Sequence, residues 1–243
     1  MLYTKNNFKD GAVLTAAQLN HTEIEVLGHT LVMAETLRQV AKLATFPLYK
    51  IAGNIGIIGD STISGYPKYP ALATYLSVTS GHSITDISTP GDTLVGQLSK
   101  WNEISATTKQ GLNYVFCQIG LNDTDETKET FRSQYKELIA KIRADAPNAK
   151  LILGTMVPGL GRYEDLYGDT PEVVKSRQEN WEAANKDIKS GYYDCDAVAF
   201  LHTEALGLDK RLRPEYDHGD GIHENVEGAK IVVYSWCATA FHN

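Results

Sequence analysis

The feature that most limits what this chain can become begins after Lys50, where short apolar runs alternate with longer amphipathic stretches. Ile55-Gly56-Ile57-Ile58 runs into Gly59-Asp60-Ser61 and reads as a buried strand feeding a turn. Further strands are expected at 84–87, at 114–119 as a central strand, and at 151–153 and 198–201. Helices are expected at about 69–80, 93–104, 126–146, 171–189 and 226–241. Strands separated by helices of ten or more residues cannot be joined by hairpins, so they pair in parallel through crossovers. The expected class is therefore α/β, with a parallel sheet covered by helices on both faces. No internal repeat interrupts the pattern.

The first fifty residues read differently. Thr15-Ala16-Ala17-Gln18 has the capping-box spacing, so a helix should start there. Between Leu19 and Ala44 the chain holds no proline and one glycine, Gly28, and Phe46-Pro47 stops the helix. Two apolar rows follow steps of three and four: Val26, Met33, Leu37, Val40 and Ala44 beside Ile24, Leu27, Leu31, Ala34 and Ala41. Such a helix either packs on its own domain or forms a self-associating stalk, and the rows alone leave both open. The organisation expected is an N-terminal helical segment over 1–50 and one domain over 51–243, with a homo-oligomer, such as a trimer, formed through 15–44 if the stalk reading holds.

Composition narrows the class of partner. The chain has 243 residues, 42% hydrophobic and 22% charged, with a net charge of −7. An acidic chain without runs of basic residues is a poor match for nucleic acid or for an anionic membrane surface. No apolar stretch reaches the length of a membrane span, and the opening MLYTKNNFKDG lacks the basic and apolar regions of a secretory signal. Cys117, Cys195 and Cys237 are widely spaced, form no metal-type pair, and in the case of Cys117 sit inside an apolar run.

In parallel sheets, functional groups gather where strands end and helices begin. Four such places carry suggestive residues. Ser61 follows the 55–58 strand; read alone it suits a helix N-cap as well as a nucleophile, since a serine hydroxyl needs a base to take its proton. Ile63 occupies the second glycine of the G-x-S-x-G elbow, which sets that variant aside. Asp220 and His223 form D-x-x-H, a spacing that lets a carboxylate hold one ring nitrogen while the other faces outward, as a general base requires. Asp217, His218, Asp220 and His223 also allow a metal site, and a polar surface loop is the plain alternative. Asn122 and Gly91 follow other strands and offer an amide and a backbone N–H as neutral donors.

Taken together and in this order, these segments resemble the SGNH (GDSL-like) hydrolases. The four blocks are IIGDSTISG at 57–65, Gly91 within STPGDTL, IGLND at 119–123 and DGIHENVEG at 220–228. The resemblance implies a three-layer α/β/α, flavodoxin-like domain. It implies Ser61 as nucleophile, His223 as general base and acid, and Asp220 as the group that orients it. The oxyanion hole would be Gly91, Asn122 and the Ser61 backbone, with no metal or organic cofactor. Members hydrolyse acyl esters, many of them O-acetyl groups on carbohydrates. Asp10 to Asn20 resembles the helical lead-in of bacteriophage tail and fibre proteins, which would imply a place in a virion and a surface glycan as substrate; without it, a cytoplasmic location is expected. A non-catalytic, glycan-binding fibre module is the alternative. Tyr66, Tyr69, Tyr163 and Tyr167 are candidates to stack on sugar rings.

Overall fold

The computed structural model describes residues 16–43, 50–65, 71–165 and 170–241. In chain order the helices are α1 (Ala16–Leu43), α2 (Ser61–Ser64), α3 (Leu94–Glu103), α4 (Ala106–Gln110), α5 (Lys128–Asp145), α6 (Leu160–Asp165), α7 (Pro171–Lys189), α8 (Leu201–Leu206) and α9 (Val226–Phe241). The strands are β1 (Lys50–Ile51), β2 (Ile55–Gly59), β3 (Ser77–Val78), β4 (Ile84–Asp86), β5 (Tyr114–Gln118), β6 (Lys150–Gly154), β7 (Ala197–Ala199), β8 (Gly207–Leu208) and β9 (Arg211–Leu212).

The main sheet is parallel throughout, in the order β4-β2-β5-β6-β7. β5 is central, as its apolar run demands, and alternate side chains leave it on opposite faces. Phe116 stacks on Trp236 of α9 with ring centroids 5.0 Å apart, and Tyr114 meets Phe241 of the same helix edge-on at 5.3 Å. Cys117 faces the other way, toward Tyr135 of α5. Helices α3, α5 and α7 pack along one side of the sheet, and α1, α8 and α9 along the other. These are the three layers expected of the α/β class. Burial pushes the Cys117 thiol up to about 12, so it stays protonated as a small apolar filler.

The long first helix forms as its spacing predicts. Its expected cap at Thr15 lies outside the described residues. Ala34, Leu37 and Ala41 are buried against α8 and α9, and Arg38 donates from Nη1 to the Ala205 carbonyl at 3.2 Å. Towards its N-terminal end, Leu27, Leu31, Val32 and Met33 stay between 51% and 66% exposed. The C-terminal part of α1 thus packs on its own chain, and residues 27–33 carry an uncovered apolar face.

Two expectations need correction. The helix at 69–80 is absent among its described residues: Ala71 is extended, a 3₁₀ turn runs over Leu72–Tyr75, and β3 pairs in parallel with β1. Val78 and Thr79 are β-branched and favour the extended backbone of β3 over a helix. The strand expected at 198–201 stops at Ala199, and Leu201 opens α8. An apolar run does not say where the backbone changes direction.

Candidate active site

The turn after β2 is built by close approach. A Cβ on Gly59 would lie 2.5 Å from Ile63 Cγ1 and 2.9 Å from the Gln118 carbonyl, so only glycine lets the chain turn there. Asp60 then takes the N-cap: its Oδ1 accepts from the Thr62 N–H at 2.9 Å and from the Thr62 hydroxyl at 2.8 Å. With Asp60 as cap, Ser61 is free of that duty and opens α2 as its first residue, 8% exposed.

The loop between β9 and α9 is knitted from within. Asp217 Oδ1 accepts from the N–H groups of Gly219 (2.7 Å), Asp220 (3.2 Å) and Gly221 (3.1 Å). The His218 N–H donates to the His223 carbonyl at 2.8 Å, and the Asn225 N–H to the Tyr216 carbonyl at 2.8 Å, closing the loop at its neck. Asn225 Oδ1 accepts from the Glu227 and Gly228 N–H groups and so starts α9. Within this frame Asp220 Oδ1 accepts from the Ile222 and His223 N–H groups at 3.0 and 2.9 Å.

The remaining oxygen of Asp220 reaches His223 Nδ1 at 2.7 Å, and His223 Nε2 lies 2.9 Å from Ser61 Oγ. Residues 162 positions apart in the chain are thereby joined in one line, carboxylate to imidazole to hydroxyl. Burial pushes the Asp220 carboxyl up, but the His223 N–H, the imidazole and the Ile222 N–H together outweigh it and hold the group below the usual carboxylate range. The carboxylate is therefore charged at neutral pH, which favours a proton on Nδ1 and leaves the Nε2 lone pair towards Ser61.

At the end of β2, where the Thr89 N–H donates to the Gly59 carbonyl at 3.1 Å, Thr89-Pro90-Gly91-Asp92 form a turn closed by the Asp92 N–H and the Thr89 carbonyl at 3.2 Å. Gly91 sits at φ +75°, as the third residue of such a turn requires. Asn122 follows Gly120, whose φ of +119° and whose contact with the Phe131 ring both require glycine. Asn122 Nδ2 donates to the Asp92 carbonyl at 2.7 Å, tying the Asn122 segment to the Gly91 turn.

The sequence candidates thus fall into two joined groups, Ser61 with His223 and Asp220, and Asn122 with the Gly91 turn. Of the tyrosine candidates, Tyr163 is fully buried in α6 and does not join them, and Tyr66, Tyr69 and Tyr167 lie outside the described residues. Asp217 turns its oxygens onto backbone N–H groups, and the described residues contain no group of three or more His, Cys, Asp or Glu arranged to hold a metal ion. No helix among the described residues is long and apolar enough to cross a membrane.

Comparison with known families matches residues 57–231, most of the chain and all four sequence blocks up to α9, to the GDSL-like lipase/acylhydrolase family. The chain belongs to that family. Comparison with curated proteins finds no match. Among solved structures, this GDSL-like acylhydrolase is similar to a GDSL-like lipase from Bacteroides thetaiotaomicron (16% identity, 85% of this chain and 96% of that one, TM-score 0.54). It is similar also to a lipase/acylhydrolase from Enterococcus faecalis (21%, 76% and 93%, TM-score 0.52) and to a family 3 carbohydrate esterase from Clostridium thermocellum (18%, 79% and 96%, TM-score 0.52). At such identities the likeness is one of fold.

Three residues that position the candidate site have roles the sequence did not give. Gln97 of α3, fully buried, accepts from the Gly59 N–H at 3.2 Å and donates to the Ile87 carbonyl at 3.0 Å, bracing β2 against β4 just before the site. A glutamine inside a helix reads as surface, so nothing pointed to it. Asp123, the last residue of IGLND, accepts the Leu94 N–H at 3.1 Å and anchors the start of α3. Burial first, and the nearby charges of Asp60, Asp125 and Glu126, push its carboxyl up to about 7 against the pull of that N–H. Asp217 was visible only as a metal ligand, and its work is structural.

Proposed function

We propose that the chain is a serine esterase that removes acyl groups, chiefly O-acetyl groups, from a carbohydrate. The observation that carries this reading is the unbroken line of Asp220, His223 and Ser61 at 2.7 and 2.9 Å. Ser61 Oγ attacks the ester carbonyl as His223 Nε2 takes its proton, and the imidazolium is stabilised by Asp220. The negative oxygen of the tetrahedral intermediate is received by the Ser61 and Gly91 N–H groups and by the Asn122 amide. Collapse breaks the ester bond while His223 gives its proton to the departing alcohol. Water, activated by the same imidazole, then releases the acid and restores Ser61.

Two observations support a sugar as the alcohol. A cavity of about 480 Å³ beside Asp220 is lined by Arg211, Asp217 and Asp220, by Leu212 and by glycines 161, 219 and 221, so charged groups outnumber the one large apolar side chain and suit hydroxyl groups better than a long alkyl chain. One of the structural neighbours is a carbohydrate esterase. Acid release should be assayed with the wild type and Ser61→Ala on an acetylated polysaccharide, a short-chain ester and a long-chain ester. Ser61-dependent acetate release from the polysaccharide, with little turnover of the long chain, is expected; preference for the long chain would overturn the carbohydrate reading.

A further inference from the structure

A buried carboxyl next to the triad takes no part in the chemistry described above. Glu224 follows His223 directly and is 3% exposed, and its Oε1 meets no hydrogen-bond partner among the described residues. Its seat is tight. A Cβ on Gly228 of α9 would lie 2.8 Å from Glu224 Cβ and 3.0 Å from the Tyr216 carbonyl, so the helix can approach only because that residue is glycine. Its backbone is held by the bridge to Asp217 at the neck of the loop, so the side chain cannot swing out without opening the loop that carries His223. The charged groups that face it are Asp60, from the turn before Ser61, and Asp220, from its own loop. α9 faces it with the uncharged Gly228, and His223 is its chain neighbour.

Two carboxylates already stand near this position, and burial strips a third of the water that would support its charge. We propose that Glu224 stays uncharged while the site is active, and that its ionisation sets the alkaline limit of the enzyme. This rests on the Ser61–His223–Asp220 reading. A charged Glu224 acts on that triad in two ways. It adds a third negative charge beside Asp60 and Asp220, in a site where the intermediate must gain one of its own, and it strains the packing of the loop that carries His223. Burial, with Asp60 and Asp220 adding to it, pushes the Glu224 carboxyl up to about 8, so the limit falls within a range that an assay can reach.

The test is the pH dependence of kcat/KM for a small acetyl ester, which reports ionisations of the free enzyme, measured from pH 6 to about 10. The wild type should lose activity above about pH 8, where the carboxyl ionises, falling about tenfold per pH unit at the steep end. Glu224→Gln, of the same shape and uncharged throughout, should match the wild type to within about twofold near pH 7 and keep its plateau to pH 10. Glu224→Met, also uncharged, gives the same readout if glutamine folds poorly. An alkaline fall shared by the wild type and the uncharged variants would overturn the proposal, as would a wild type with no fall at all. Failure of the triad reading shows separately, as turnover that survives Ser61→Ala.

Discussion

Two segments reach the same edge of the sheet and are held in different ways. The loop at 217–225 turns a carboxylate inward, so that Asp217 gathers three successive N–H groups and Asp220 two more before it meets the imidazole. The turn at 89–92 is closed by one backbone bond, and Gly91 is exposed, with nothing within 4 Å of where its Cβ would be. The contrast follows from the tasks we assign to them. A base needs one tautomer at one distance from the hydroxyl, and the stiff loop supplies both. An oxyanion donor needs only an N–H on open ground, and its direction is set through Asn122 and the Asp92 carbonyl.

The comparison can be broken at either end. Asp220→Asn strikes the stiff side hardest, because an amide no longer selects the tautomer; kcat should fall about 10⁴-fold with little change in KM. Asn122→Ala removes a proposed donor and the tie to the Gly91 turn, and kcat should fall about 10²–10³-fold. Asp217→Ala leaves the triad chemically whole but frees the N–H groups that its carboxylate gathers. It should cost about 2 kcal/mol in a denaturant titration, with a smaller fall in kcat than at Asp220. Gly91→Ala meets no steric neighbour, so the left-handed backbone is its only penalty, about 1 kcal/mol. If Asp217→Ala proved harmless and Gly91→Ala severe, the assignment of stiffness and freedom would be reversed.

A further prediction concerns pH dependence and belongs to Asp123, which holds the start of α3. Its carboxyl titrates near 7 in the folded chain and near 4 when unfolded, so the native state binds the proton more tightly. The stability it contributes is present in full below about pH 4 and is lost as pH rises through about 7. Asp123→Asn should flatten the decline in thermal midpoint across that window.

Most of the frame was legible because periodicity carries it. The helices at 171–189 and 226–241 form over the expected residues, and the run at 114–119 becomes the middle strand. The candidate site was legible because serine, aspartate and histidine in a fixed order are rarely an accident, and the motif suggested the pairing that spacing alone left open. What stayed hidden was whatever depends on contact between distant segments. Gln97 looks like a surface residue until Gly59 and Ile87 are seen beside it. Tyr163 looked like a loop residue and is wrapped by the core. Residues 71–80 carry an amphipathic pattern, but the β-branched Val78 and Thr79 and the pairing of β3 with β1 decide their backbone.

The central claim is that the Ser61 hydroxyl is activated by His223. It is tested most directly by treating the wild type, His223→Ala and Ser61→Ala with a serine-directed phosphonate and locating the adduct by mass spectrometry. The account predicts an adduct on Ser61 in the wild type, labelling slowed by orders of magnitude in His223→Ala, and none at that position in Ser61→Ala. Equal labelling of Ser61 with and without the imidazole would contradict it.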